Sequence, residues 1–282
     1  MRLIYKGNVH EVYELTDKVL IIVRTDRISV HGRLLPMEIK NKGIILNKIS
    51  DFWFNHTSSI INNHVISFNI EDIPSFFHSE KFKDRIVMVE KLNIIPFEFI
   101  VRGYIYGRMW KAYQKNEMFC GMKIEGAYKL AQKLDEPIIT PTTKSDKVGD
   151  VNVTMDDVEI CIGKDLTQQI ISISYRLYKE CSEYAISKGL IIADTKFEFG
   201  LNAKNQLLLA DEICTPDTSR FWDASDYETG KIPKSYDKQL IRDWLTTNIE
   251  NGEFQYDRIP ESIIRETEYN YRECMHKLLG IL

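Results

Sequence analysis

Three charged side chains at alternate positions inside an apolar run constrain this chain more than any other feature. The run is Leu190-Ile191-Ile192-Ala193-Asp194-Thr195-Lys196-Phe197-Glu198-Phe199-Gly200. Side chains two apart share one face of a strand. Asp194, Lys196 and Glu198 therefore point one way, and Thr195, Phe197 and Phe199 point the other way, into a core. A half-exposed strand also alternates, so the neighbouring sequence has to decide. A turn at Asn202-Ala203-Lys204-Asn205 leads into Gln206-Leu207-Leu208-Leu209-Ala210-Asp211-Glu212, a second apolar run that ends in acids. That is the pattern of a hairpin. Antiparallel pairing sets Asp211 beside the charged face, although a one-residue slip in register would turn it to the opposite face. Glu198 and Asp211 can then share one divalent cation. Mg²⁺ takes oxygen ligands and keeps several waters, so two carboxylates and the phosphates of a substrate complete a site. Lys196 limits the repulsion between the acids and offers a positive charge to a phosphate or carboxylate.

At 282 residues the chain can bury a large core and suits one big domain or two lobes, of which two lobes are expected. The formal net charge of −4 provides no broad basic surface, so nucleic acid is not an expected partner and any anion must be met locally. The five cysteines are scattered and lack metal-ligand spacing, as reduced thiols of a cytosolic protein do. The first residues enter a strand pattern directly, without a secretory apolar region. No apolar run approaches the roughly 18 residues of a membrane helix. A soluble, cytoplasmic protein without membrane contact is expected.

Residues 3 to 30 read as a β-meander, punctuated by Gly7 and Asp17. Ile44 to Phe54 turns helical, with Ile45, Ile49, Phe52 and Trp53 on one side. Ile86–Val89 and Phe97–Val101 are strands, and Tyr106 to Gln114 is a short helix. Residues 126 to 152 read as a long polar, irregular segment holding Pro137, Pro141 and the pairs Lys133/Asp135 and Lys144/Asp146; such loops are usually functional or disordered. From Asp165 to Lys188 the apolar positions Leu166, Ile170, Ile173, Leu177, Cys181 and Tyr184 follow the helical period, with Gly189 as the stop. Further helices are expected from near Tyr236 and from Pro260.

Four cations stand outside generic surface settings. Arg102 follows an apolar strand and precedes Gly103, Arg220 ends a Ser/Thr/Pro turn, Lys144 closes Thr140-Pro141-Thr142-Thr143-Lys144, and Arg242 lies in a helical run. Singly, each reads as surface charge. With Asp194, Lys196, Glu198 and Asp211 they point to a phosphate-bearing substrate near a metal. The six histidines show no metal or triad spacing. The turn Lys6-Gly7-Asn8-Val9-His10 could cover a nucleotide phosphate with its N–H groups.

These residues, taken together, resemble the SAICAR synthetase family, the phosphoribosylaminoimidazole-succinocarboxamide synthases. The resemblance runs through Thr25-Asp26-Arg27-Ile28-Ser29, Asn47 to Phe54, Val101-Arg102-Gly103-Tyr104, Thr140 to Lys144, Ile192 to Gly200, Asp211-Glu212, Thr215 to Trp222, Asp237-Lys238-Gln239 and Arg242-Asp243-Trp244. It implies an α+β fold with a small antiparallel N-terminal lobe, residues 1–96, and a larger lobe, residues 97–282, with ATP between them as in ATP-grasp and kinase-like nucleotide binders. The activity implied belongs to purine biosynthesis: ATP-dependent condensation of a carboxy-aminoimidazole ribotide with L-aspartate, yielding the succinocarboxamide, ADP and phosphate. By this likeness Asn8, Val9, His10, Lys144, Glu198 and Asp211 meet ATP, and Glu198 and Asp211 hold Mg²⁺. Arg102, Arg108, Asp194, Lys196, Ser219, Arg220, Lys238 and Arg242 receive the substrate, with its phosphate at Arg102 and Arg220. Asp194 and Lys196 border the reacting carboxylate as the catalytic pair. The strand Val87 to Lys91 is the adenine-side connector.

The chain departs from the family pattern at three places. Gly7-Asn8-Val9-His10 lacks two cations of the usual first turn, Val30-His31-Gly32-Arg33 lacks an acid, and Arg108 replaces a small hydroxyl residue. Lys6, Arg33 or Arg108 could supply the missing charge. A paralogue that ligates another carboxylate or amine is the alternative enzyme reading. A non-catalytic nucleotide binder would be favoured by loss of Glu198, Asp211, Lys196 or Lys144, and none is lost.

Overall fold

The N-terminal meander folds as its alternation predicts: β1 (Arg2–Lys6), β2 (His10–Glu14) and β3 (Val19–Arg24) are antiparallel neighbours. In this computed structural model, which describes residues 1–144, 151–250 and 252–280, a hairpin of β4 (Arg27–Val30) and β5 (Arg33–Glu38) follows. Helix α1 (Lys42–His56) comes next. Asp26 starts it, accepting from the backbone N–H groups of Gly43 at 2.9 Å and Asn41 at 3.3 Å while pairing with Arg85 at 3.0 Å. Strands β6 (Val65–Ser67) and β7 (Ile86–Glu90) complete a five-stranded sheet in the order β1-β2-β3-β7-β6. Its inner strands are apolar on both faces. Ile21 and Val23 pack with Phe77 and Phe82, whereas Ile22 packs with Val87 and Val89.

The second sheet carries the opening feature. After β8 (Asn93–Ile94) come β9 (Phe97–Tyr104), α2 (Gly107–Gln114), β10 (Lys133–Thr143), β11 (Val151–Asn152), α3 (Met155–Ile162), α4 (Lys164–Ser187) and then β12 (Leu190–Leu201), β13 (Leu207–Ala210) and β14 (Ser219–Asp223). The order is β11-β10-β9-β12-β13, with β14 and β8 also pairing with β12. The chain ends in α5 (Gln239–Thr247) and α6 (Glu261–Leu279). This is an α+β architecture with antiparallel sheets. No helix among the described residues is long and apolar enough to cross a membrane.

One expectation needs correction. Lys133–Thr143 is a strand and not irregular chain, pairing Ile139 with Val101 and Thr140 with Ile100. Two prolines and a polar composition disguise it, because Thr140 and Thr142 are fully buried and their hydroxyls are hydrogen-bonded. Of that expected loop, residues 145–150, including Asp146, lie outside the described residues. A short helix that the sequence did not single out, α3, precedes the long one, started by a capping box between Thr154 and Asp157. The residues on either side of position 96 pack together extensively. Ile45, Ile49 and Trp53 of α1 join the main core with Phe197, Phe199, Leu177 and Tyr271. Ile28, Val30, Leu35 and Ile39 pack against Ile241 and Leu245 of α5 and against Tyr256.

Helix α4 buries Ile170, Ile173, Leu177, Tyr178, Cys181 and Ala185 behind the large sheet. The contact is close enough to dictate one residue. A Cβ on Gly103 would lie 2.0 Å from the Tyr178 hydroxyl, which donates to the Ile192 carbonyl at 2.7 Å. The glycine of the Arg-Gly-Tyr motif thus lets α4 brace β9 and β12 together.

Candidate active site

The face of the large sheet away from α4 is a polar floor. Cross-strand partners share a face, and the register pairs Asp194 with Arg102 of β9 on one side and with Arg220 of β14 on the other. The three side chains form a row across three strands. Arg102 donates to Asp194 Oδ2 at 2.8 Å and to the Thr140 hydroxyl at 2.9 Å, and Arg220 donates to the same Oδ2. Burial pushes the Asp194 carboxyl up, but the Arg220 and Arg102 guanidiniums outweigh it and hold the group below its usual range. Arg242 on α5 faces Arg220 and Asp194 and lies 3.8 Å from Asp237; Arg108 on α2 faces Arg102. Arg220 also lies over the Tyr106 ring at 5.7 Å. Gly107, with φ of 58°, sits so close that a Cβ would be 2.8 Å from an Arg220 nitrogen.

Two residues along β12, Lys196 donates to Glu98 at 2.7 Å and pairs with Glu198 at 3.1 Å. Glu98 was missed by the sequence reading. Its signal was present, because Glu98 and Arg102 stand at alternate positions of Phe97–Tyr104 just as the β12 charges do. It is buried and accepts from Thr142 at 3.0 Å.

The far end gathers Glu198, Asp211, Lys144 and His10. Lys144, reaching across from the end of β10, pairs with Glu198 and also faces Asp211. Burial and then the Asp211 charge push Glu198 up to about 7, against Lys196 and Lys144. Asp211 is pulled the other way. Burial is outweighed by Lys144, Lys196, His10 and Arg24, which hold it below the carboxylate range. Burial lowers His10, which faces Asp211, Lys144 and Lys196. His10 of the first turn is thus within electrostatic reach of Asp211. Thr25 donates its N–H and hydroxyl to the Val9 carbonyl, and Asn8 reaches the Gly32 carbonyl at 3.4 Å. The cation at this turn is one that the sequence reading did not single out: Arg27 donates to the Gly7 carbonyl at 3.0 Å. Arg33 stacks on Tyr256 instead, and Lys6 is exposed.

Of the expected site residues, Ser219 is the one turned away. It pairs with Thr195, so its side chain lies on the α4 face, where its hydroxyl donates to Thr195 at 2.7 Å. Lys238 lies 3.9 Å from Asp217, a buried acid that also accepts from Tyr271 at 2.6 Å and pairs with the fully buried Lys42 at 2.7 Å. That network ties the Thr215–Thr218 turn to α1 and α6.

The family model described as SAICAR synthetase matches residues 3–259. The chain belongs to the SAICAR synthetase family. A phosphoribosylaminoimidazole-succinocarboxamide synthase of Lachnospira eligens is 42% identical over 99% of this chain and 95% of its own. The enzyme of that name from Saccharomyces cerevisiae is 39% identical over 99% of this chain and 94% of its own. Among solved structures, a Saccharomyces cerevisiae SAICAR synthase complexed with SAICAR superposes with a TM-score of 0.87 at 38% identity, covering 99% of this chain and 95% of that one. A SAICAR synthetase in complex with ADP shares the fold, with a TM-score of 0.74 at 23% identity over 98% of this chain and 97% of that one. The departures at Asn8, His10, Gly32 and Arg108 thus sit within a SAICAR synthetase scaffold.

Proposed function

We propose that the protein condenses a carboxy-aminoimidazole ribotide with L-aspartate at the expense of ATP, releasing SAICAR, ADP and phosphate. The observation that carries this reading is the order of charges along one strand. From the Arg102–Asp194–Arg220 row to Glu198 is four residues, about 13 Å at 3.3 Å per residue, with Lys196 midway. A substrate with a phosphate at one end and a carboxylate at the other lies along that span. Its phosphate meets Arg102 and Arg220, assisted by Arg108, Arg242 and Lys238, and its carboxylate reaches Lys196 and Asp194. Family membership and the SAICAR-bound relative support the same choice of substrate.

The chemistry explains why cations line the path. A carboxylate is a poor acyl donor, since oxide would have to leave. Transfer of the ATP γ-phosphoryl group gives an acyl phosphate, which the aspartate amine displaces. Bringing a phosphoryl group to an anion requires positive groups at the converging oxygens. Lys196, held by Glu98 and Glu198, and the half-exposed Lys144 provide them, while the Asn8–His10 turn closes over the nucleotide. The partly buried Val12, packed on Ile22, Val87 and Val89, offers an apolar contact for the adenine ring, with Lys91 just beyond β7.

Glu198 and Asp211 fit a hard divalent cation. Glu198 is buried and Asp211 half-buried, and the Asp211 charge helps push Glu198 up to about 7, a repulsion that a cation relieves. Among the described residues no third acidic, histidine or cysteine ligand joins them. Coordination positions remain for phosphate oxygens and water, as Mg²⁺ prefers. When bound, Mg²⁺ would neutralise charge on the ATP phosphates. Incubating the protein with Mg-ATP, the carboxylated ribotide and L-aspartate should yield ADP and SAICAR together. ATP binding without that product would overturn the reading.

A further inference from the structure

We propose that Arg24 is a positioning residue that clamps the main-chain carbonyl of Asp211 and so aims its carboxylate at Glu198. The proposal rests on Asp211 being a metal-side acid, and it starts from a conflict in the strand geometry. The β12–β13 register pairs Glu198 with Ala210, so those two share a face. Extending β13 by one residue would put Asp211 on the opposite face, with the fully buried Phe197. The strand instead stops at Ala210, and Asp211 adopts a left-handed φ of 63°. That conformation is sparsely populated for a residue with a side chain, and it persists where the surroundings over-determine it. Here it brings the carboxylate round to Glu198, Lys144 and Lys196, which act on it electrostatically.

A buried arginine holds it. Arg24, at the end of β3 and only 2% exposed, donates to the Asp211 carbonyl at 3.2 Å. Its other terminal nitrogen lies 3.4 Å from the Glu212 carboxylate, so one guanidinium spans both residues of the turn. The segment beside β13 is fixed as well: the His64 N–H donates to the Leu209 carbonyl at 3.0 Å, and its carbonyl accepts from Glu90 at 2.7 Å. Arg24 belongs to the small sheet, while Asp211 follows a strand of the large one. The acid is therefore set by the seam between the sheets and not by its own strand, and Arg24 acts through Asp211.

Calorimetric titration of ADP with and without Mg²⁺ reads the metal's contribution to nucleotide binding without turnover. Arg24→Met should shrink the Mg²⁺-dependent gain in ADP affinity by about 10–100-fold, the usual cost of removing the partner that orients a ligand. Binding of the ribotide should stay unchanged. Arg24→Gln, which keeps an N–H donor, should lose less of the gain than Arg24→Met. If Asp211→Asn leaves the Mg²⁺-dependent gain intact, the metal-side assignment falls and takes the clamp with it. If Asp211→Asn loses the gain while Arg24→Met retains it, the clamp alone is overturned. Should Arg24→Met fail to fold, Arg24→Lys carries the test: it keeps the charge but cannot span Asp211 and Glu212 together, so it should lose the gain, and a full gain, or a parallel loss of ribotide binding, would overturn the clamp.

Discussion

Replacing Asp194 by Asn tests whether the arginine row is held by charge or by shape. The substitution keeps the volume and one acceptor oxygen but removes the negative charge between Arg102 and Arg220. In the native row, Arg102 is 5% exposed and donates to that carboxylate at 2.8 Å. Arg220 donates to the same oxygen, and Arg242 adds a third positive charge nearby. At an effective dielectric constant near 20, a charge pair about 4 Å apart is worth roughly 4 kcal/mol before desolvation. Two such attractions disappear, while the cost of burying the guanidiniums remains. Breaking a buried ion pair by removing one partner costs about 3–5 kcal/mol, and that is the fall in unfolding free energy expected here. Urea unfolding at neutral pH, followed by tryptophan fluorescence, measures it. The variant should also regain stability in inorganic phosphate more than the parent does, because an anion that binds only the folded state can take the carboxylate's place between the two arginines. A loss below about 1 kcal/mol, within the range of exposed pairs, would refute the claim that Asp194 is the charge on which the row is built.

Three further outcomes follow from the same geometry. Gly107→Ala should weaken ribotide binding with nucleotide binding unchanged, since the new Cβ meets Arg220 at 2.8 Å in a left-handed backbone; parallel titrations with ribotide and ADP check this. Glu198→Gln should abolish turnover and the Mg²⁺-dependence of ADP binding, and a variant at parent rates would remove Glu198 from the metal site. Burial lowers His64 from 6.5 to about 4, so the unfolded chain takes up this proton first as pH falls. The group's contribution is thus fully present above pH 6.5 and lost progressively towards pH 4, amounting to about 3 kcal/mol. In His64→Phe, denaturant midpoints measured across that window should fall less steeply than in the parent.

Legibility followed the periodicity of each segment. The β12 strand was readable because Phe197 and Phe199 alternate with charges that cannot enter the same core. Helix α4 was readable from its apolar stripe and Gly189. The β10 strand was hidden because its site face is made of threonines, which look like loop residues until their hydroxyls are seen satisfied by Arg102, Glu98 and the Ile100 carbonyl. Glu98 carried the same alternation as β12 but stood alone as an acid in its segment. The face that Ser219 takes was not legible, because the side-chain period of β14 depends on its pairing with β12, which no local pattern reports. Arg24 was invisible for a different reason: its partner is a main-chain carbonyl, and its position is a property of the assembled sheets. The apolar residues of α1 likewise do not announce which core they join.

The seam between β4–β5 and α5 also governs when the molecule can become whole. Ile28 and Val30 are covered by Ile241, Leu245 and Tyr256, separated from them by roughly two hundred residues of chain. During synthesis at about 5–20 residues per second, that hairpin waits tens of seconds with its apolar face bare. The meander before it can pair early, yet its neighbouring hairpin cannot be sealed until α5 has emerged. Nascent chains stalled before residue 241 should therefore depend on chaperones at Ile28, Val30 and Leu35, which the finished protein buries.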